Sequence, residues 1–281
     1  MQPDNVSEHV QSINVDNIGV VISGLLLIVT VVSAIYAIRA YQHQKQRAKK
    51  EAGCKLARIY ADVVLSKYKL VNEVMEKTEL LDFIRYLFPM SAISSFSYSE
   101  MSELVEKAGR SMDDVIAKMR TFDPLIILDA KLIQAKVPDE VRSLQETFSE
   151  YDPATHQRVP KNKEILLSQF EASIRDLMNT LEWFAMYCRY GLADEEIIYQ
   201  SLHQTYLSMV WLLYFYISSN NKSNADKYFT NVIWLFERWR NRLNEQTDLA
   251  RQDQQKADAQ MREAQELRDN AGREFAGQAL R

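Results

Sequence analysis

From Ile18 to Ile38 the chain carries no charged residue, IGVVISGLLLIVTVVSAIYAI. At about 1.5 Å of rise per residue, such a run predicts a helix of roughly 30 Å, the thickness of a bilayer's hydrocarbon core. Beyond it the apolar pattern becomes periodic. Leu56, Ile59, Val63, Leu70, Val74 and Leu81 recur at helical intervals with no Gly or Pro between Gly53 and Pro89, which predicts one long helix over 42–88. The serine-rich stretch 91–99 reads as a loop. Ser97 with Glu100, and Ser111 with Asp114, match capping boxes that open two short helices, the first ending before Gly109. Asp123-Pro124 and Pro138-Asp139-Glu140 open two more, the second running to about Tyr151, and DPATHQRVPKNK (152–163) reads as a surface loop.

From Lys163 a long helix is predicted with Ile165, Phe170, Ile174, Leu177, Leu181, Phe184 and Cys188 on one face, ending at Gly191. Asp194, Glu195 and Glu196 then occupy the first turn of the next helix, where carboxylates oppose the positive end of the helix dipole. That helix contains YLSMVWLLYFYI (206–217), hydrophobic all round. Lengthening it to span a bilayer would draw in Gln200, His203 and Gln204, so it is predicted as a buried core helix. Residues 227–243 form a last amphipathic helix with Val232, Leu235, Phe236, Trp239 and Leu243 inward. Its basic aromatic run Arg238, Trp239, Arg240 and Arg242 suits a helix C-terminus. After Asn244 large apolar residues become too sparse for a core. Asp258 with Arg262 and Asp269 with Arg273 are acid-before-base pairs at i,i+4, so 245–281 is expected as a weak coiled-coil arm or a fraying tail.

Seven Gly and six Pro among 281 residues, 47% of them hydrophobic, fit this all-α reading. The predicted architecture is one N-terminal transmembrane helix followed by a cytoplasmic multi-helix bundle. Its parts are a short extracytoplasmic tail (1–17), the transmembrane helix (18–38), a basic juxtamembrane stalk and helix (39–90), the bundle (91–244) and the Gln/Ala-rich tail (245–281). A net charge of −4 gives no global field for nucleic acid, so no nucleic-acid partner is expected. Cys54 and Cys188 lie far apart without C-x-x-C spacing and read as packing thiols.

Charge fixes the expected orientation. Only Asp4, Glu8 and Asp16 carry charge ahead of the apolar run, which argues against a cleaved signal peptide. Arg39, Lys45, Arg47, Lys49 and Lys50 follow it, and basic flanks stay in the cytoplasm. The expectation is a bacterial inner-membrane protein with its N-terminus outside, its C-terminus inside, and the lipid bilayer as a partner. Gly19, Ser23, Thr30, Ala34 and Ala37 place small residues along the span, where two helices could approach and form a homo-oligomer; chance explains such a set equally well.

Glu195, Glu196 and His203 form the best polar cluster for metal or acid–base chemistry, because Glu196 and His203 can share a helix face. Carboxylate metal bundles use Glu-x-x-His, however, and none of the four histidines follows that pattern. Dipole-matched acids beside a core histidine explain the cluster as well. Glycine-rich phosphate loops, serine elbows and zinc fingers are absent from the sequence. No catalytic, cofactor-binding or metal-binding residue is assigned, and the chain is not expected to be an enzyme.

The stretch LEWFAMYCRYGLADEEIIYQSLHQ (181–204), with the N-terminal span and its basic flank, resembles an uncharacterised family of bacterial single-span membrane-anchored proteins with a small all-helical domain of unknown function. The resemblance implies fold and topology but no catalytic residue, and the Gln/Ala tail lies outside it. The functional expectation is a membrane-tethered, non-enzymatic scaffold or sensor presenting a helical surface to a protein partner. Alternatives are a membrane effector acting by oligomerisation, for example in phage defence, and a membrane-surface enzyme.

Overall fold

The computed structural model describes residues 15–121, 123–222 and 227–279, and the side chains among them except at 15–24, 120 and 267–279. The expected tail 1–17 thus lies largely outside the described residues, as do the side chains of Gly19, Ser23, Asp269 and Arg273. Contacts divide the chain into two units, 1–51 and 52–281.

The first unit is helix α1, Val15–Ile59, up to Glu51. Every described side chain from Leu25 to Ile38 is exposed, Leu27 at 66% and Ile38 at 58%. Among the described residues one helix, near the N-terminus, is long and apolar enough to cross a membrane. The Thr30 hydroxyl donates to the Leu26 carbonyl at 2.8 Å, so its polar group is satisfied within the helix.

The second unit is helical apart from one hairpin, and its first helices correct the prediction of a single helix over 42–88. α1 gives way to a π-helical turn, Tyr60–Val64, before α2, Leu65–Lys77, and α3, Leu80–Leu87. The π turn slips the register so that Tyr60 and Val64 both reach the core. Between α2 and α3 the Thr78 hydroxyl turns back onto the Val74 carbonyl at 2.7 Å, and Glu79 adopts a left-handed backbone with φ of 59°. Neither break uses Gly or Pro.

Local capping signals hold at the next helices. α4, Tyr98–Lys107, and α5, Met112–Arg120, start at Ser97 and Ser111, each accepting a backbone amide at the third helical position. Ser111 and Asp114 close a full capping box. At α6, Leu125–Gln134, the Asp123 carboxylate accepts the Leu125 amide at 2.9 Å. α7, Pro138–Phe148, stops three residues short of the expected Tyr151 because the chain turns into a strand. The predicted loop is partly an antiparallel hairpin, β1, Ser149–Asp152, with β2, Gln157–Pro160, in which Ser149 faces Pro160 and Asp152 faces Gln157. An ion pair from Arg158 to Asp129 ties the hairpin to α6.

α8, Lys163–Arg189, runs through the body with Phe170, Leu177, Leu181, Phe184 and Cys188 buried. Ile165 is exposed and Leu166 takes the inward place expected of it. Gly191, at φ of 61°, ends the helix; its amide bonds the Cys188 carbonyl and that of Leu192 reaches Tyr187. α9, Glu195–Leu212, and α10, Tyr214–Asn220, carry the apolar 206–217 stretch through the core. α11, Thr230–Ala279, then packs Val232, Leu235, Phe236 and Trp239 inward. The expected separate tail is therefore the continuation of this helix, exposed from Asn244 to Glu266. Asp258 accepts from Gln254 in place of the anticipated Arg262 pair.

Aromatic rings tie these elements together. Tyr60 lies 4.9 Å from Phe184, and Tyr206 lies 5.0 Å from Trp239, edge to face. Gly53 is a tight contact: a Cβ there would come within 3.1 Å of the Asp194 carbonyl, so a larger residue would push α1 from the α8–α9 loop. The two thiols part company. Cys188 is buried, and burial pushes its pKa up to about 12. Cys54 is exposed, against the expectation of a packing residue. Titration of the native protein with a maleimide should consume about one thiol per chain, rising to about two in denaturant; fast reaction of both native thiols would contradict this core.

Candidate functional site

The sequence-flagged acids meet partners from a distant helix. Asp194 lies one residue ahead of the first turn expected for it and caps α9, accepting the Glu196 amide at 3.1 Å, while Glu195 and Glu196 in that turn meet α11. Glu195 receives Arg238 Nε at 2.7 Å and the indole N–H of Trp239 at 3.1 Å, with only 20% of its side chain exposed. Glu196 receives Arg242 at 2.7 Å and Gln200 at 3.0 Å. The hydrogen bonds from Arg242 and then Gln200 hold its carboxyl below the usual carboxylate range. The Arg242 guanidinium also lies 3.8 Å above the centre of the Tyr199 ring, and the Tyr199 hydroxyl donates to Gln246 at 2.8 Å.

His203 makes its contacts with Tyr199. Its ring stacks on Tyr199 at 4.4 Å and its Nδ1 lies 2.7 Å from the Tyr199 carbonyl. The cluster Glu195, Glu196 and His203 is thus a seam between α9 and α11, its carboxylates already engaged. Among the described residues no group of three or more His, Cys, Asp or Glu is placed to hold a metal.

The basic run on α11 needs a different account from the one its sequence suggested. The helix continues past Leu243 to Ala279, so these cations do not cap a C-terminus. Arg238 and Arg242 serve the two glutamates, and Arg240 caps the Ile93 carbonyl while lying 5.5 Å over the Phe236 ring.

Two further anchors were not apparent from sequence. Glu182 of α8 accepts the backbone amides of Asn231 and Val232 at 3.0–3.1 Å and the Asn231 side-chain amide at 2.7 Å. A carboxylate from one helix thereby caps the N-terminus of another, where its charge also opposes the dipole. The available signal was one acid, Glu182, between inward-facing Leu181 and Phe184. Glu182→Ala should lower stability by about 2 kcal/mol and speed amide exchange in the first turn of α11; unchanged exchange there would exclude the cap.

The second anchor is Glu100. Its carboxylate gathers the amides of Ser94, Ser95 and Phe96, the Ser94 hydroxyl and the Tyr214 hydroxyl, the last at 2.9 Å. Burial pushes this carboxyl up, but hydrogen bonds from Ser94, Ser95 and Tyr214 outweigh it and hold it below its usual range. Phe96 is buried at φ of 48°, and its carbonyl accepts from the buried Asn221 side chain at 3.0 Å. Ser97 does cap α4, but Glu100 reaches back past it to the preceding loop, where a capping box would return to Ser97 itself.

Of the residues expected beside a membrane, Arg39, Lys45, Arg47 and Lys50 are exposed on α1 and Lys49 is half-buried. Thr30, Ala34 and Ala37 are exposed at i, i+4 and i+7 spacing.

These features define a domain that is helical but for the β1–β2 hairpin, in which α8 and α9 brace a long final helix. Residues 128–239, from α6 into α11, match the family described as Domain of unknown function (DUF4760). The stretch 181–204 lies inside the match. No curated protein and no solved structure matches the chain.

Proposed function

We propose that this chain is a bacterial inner-membrane scaffold or sensor. It crosses the bilayer once through 18–38 with its N-terminus outside, and presents the helical body to a cytoplasmic protein partner. The observation that carries the reading is the contrast between two apolar surfaces. Leu25–Ile38 exposes every side chain in one unbroken run, whereas the body buries most of its large apolar residues, Trp239 at 0% exposure, and exposes others such as Ile133, Ile165 and Leu192 at scattered positions. Exposed hydrocarbon on that scale calls for lipid or protein around it, and the basic residues from Arg39 to Lys50 favour a cytoplasmic flank.

The exposed part of α11 is the partner surface. Ala250, Ala257 and Ala264 recur every seven residues along it, the spacing of a helix that lies against another helix. Pairs such as Arg251–Asp248 and Lys256–Asp253 contribute only a few tenths of a kcal/mol each, so such a helix gains from a partner.

The test is purification of the full chain and a chain lacking 245–281 from carbonate-washed membranes in mild detergent. Both forms should stay with the membranes, and a second protein should accompany only the full chain. Release of the full chain by carbonate would overturn the anchor. Recovery of this chain alone at every expression level would overturn the scaffold, and dye leakage on induced clustering would support the effector alternative.

A further inference from the structure

A cavity of about 420 Å³ opens within the body between α2, α3, α5, α8, α9 and α10. Its depth is built from the buried residues Met75, Leu80, Phe170, Leu212 and Leu213. Both interrupted helix pairs face it. Leu80 follows the left-handed Glu79 that separates α2 from α3, and Leu213 is the junction between α9 and α10. Met75 and Met119, the most adaptable of apolar side chains, stand in the cavity wall.

The volume lies within the roughly 300–1,000 Å³ usual for small-molecule sites, and the lining is of the kind such sites use, mostly apolar with few polar groups. Its size and apolar lining suit a single alkyl chain. One charged residue lines it, Glu171, which is exposed and makes no ion pair among the described residues. A carboxylate head would meet like charge there, whereas a neutral or cationic head would not.

We propose that this cavity binds one linear alkyl chain bearing a cationic head, the chain among Met75, Leu80, Phe170 and Leu213 and the head beside Glu171. It gives the domain a small-molecule input at the points where two pairs of its helices are interrupted.

The experiment is photolabelling of the full chain in nanodiscs of zwitterionic lipid, using tetradecylamine or tetradecanoic acid with a diazirine near the chain end. Labelled peptides are mapped by mass spectrometry, with residues 244–266 as the exposed background. The amine should label peptides holding Met75, Met119 or Phe170 above that background, and about fivefold more than the acid does. Glu171→Lys, an exposed change checked by circular dichroism, should reverse the preference. Labelling of these peptides at background overturns the site. Equal labelling by the two probes, or a preference unmoved by Glu171→Lys, overturns the assigned role of Glu171 and with it the ligand class.

Discussion

Replacing Trp239 by alanine is expected to lower stability by about 3–5 kcal/mol, the cost of deleting a large buried ring from a close-packed core. The expected fall in Tm is roughly 10 °C for a body of this size. The reason is convergence. Trp239 is fully buried, meets Tyr206 at 5.0 Å and Tyr199 at 5.6 Å edge to face, and donates its indole N–H to Glu195. Trp239→Phe keeps much of the ring but forfeits the hydrogen bond, so a smaller loss of about 1–2 kcal/mol is expected. Thermal melts followed by circular dichroism at 222 nm check both values. Equal losses for the two variants would mean that the hydrogen bond to Glu195, and not the ring, dominates.

Glu100→Ala should cost about 2–3 kcal/mol, because three backbone amides and two hydroxyls lose one shared acceptor. The effect has a pH signature. Glu100 titrates lower in the folded chain than its ordinary value of 4.5, so its contribution is complete above that value. It disappears as pH falls through the depressed folded value, since the unfolded chain takes up the proton first. The stability gap between the wild type and Glu100→Ala should therefore be constant near neutrality and narrow below about pH 4.5. A gap independent of pH down to 3 would show that the loop is held by packing at Phe96 and Ile93, and not by the carboxylate.

What could be read from the sequence was local. Ser97 and Ser111 each cap a helix within three residues of themselves, the Asp123 carboxylate accepts the Leu125 amide two residues on, and Gly191 supplies its own left-handed turn, so a short window carries the whole signal. The break at Thr78 and Glu79 was hidden because a threonine hydroxyl and a non-glycine left-handed residue do the work usually left to Gly or Pro. The hairpin at 149–160 was hidden by its composition. Its strands are four residues each and mostly polar, and the Arg158–Asp129 pair that secures them joins positions 29 apart.

The candidate site was half legible for the same reason. Glu195 and Glu196 were correctly placed in a first turn, but their partners Arg238 and Arg242 are more than 40 residues away, and only the packing of α9 on α11 pairs them. Both carboxylates are hydrogen-bonded to those partners, and the His203 ring stacks on Tyr199. The helical alternative for the tail is the one found as far as Ala279, and its continuity with the last core helix was hidden because burial ends near Leu243 while the helix does not.

That unbroken helix makes a lever of the body's last element. From Leu243 to Ala279 it extends roughly 54 Å at 1.5 Å per residue. Its base is gripped by Glu182 and by the Glu195–Arg238 and Glu196–Arg242 pairs. A tilt of about 5° at this base would displace the far end by about 5 Å. A sub-ångström shift in the seam would thus be amplified into a movement as large as the width of a side chain.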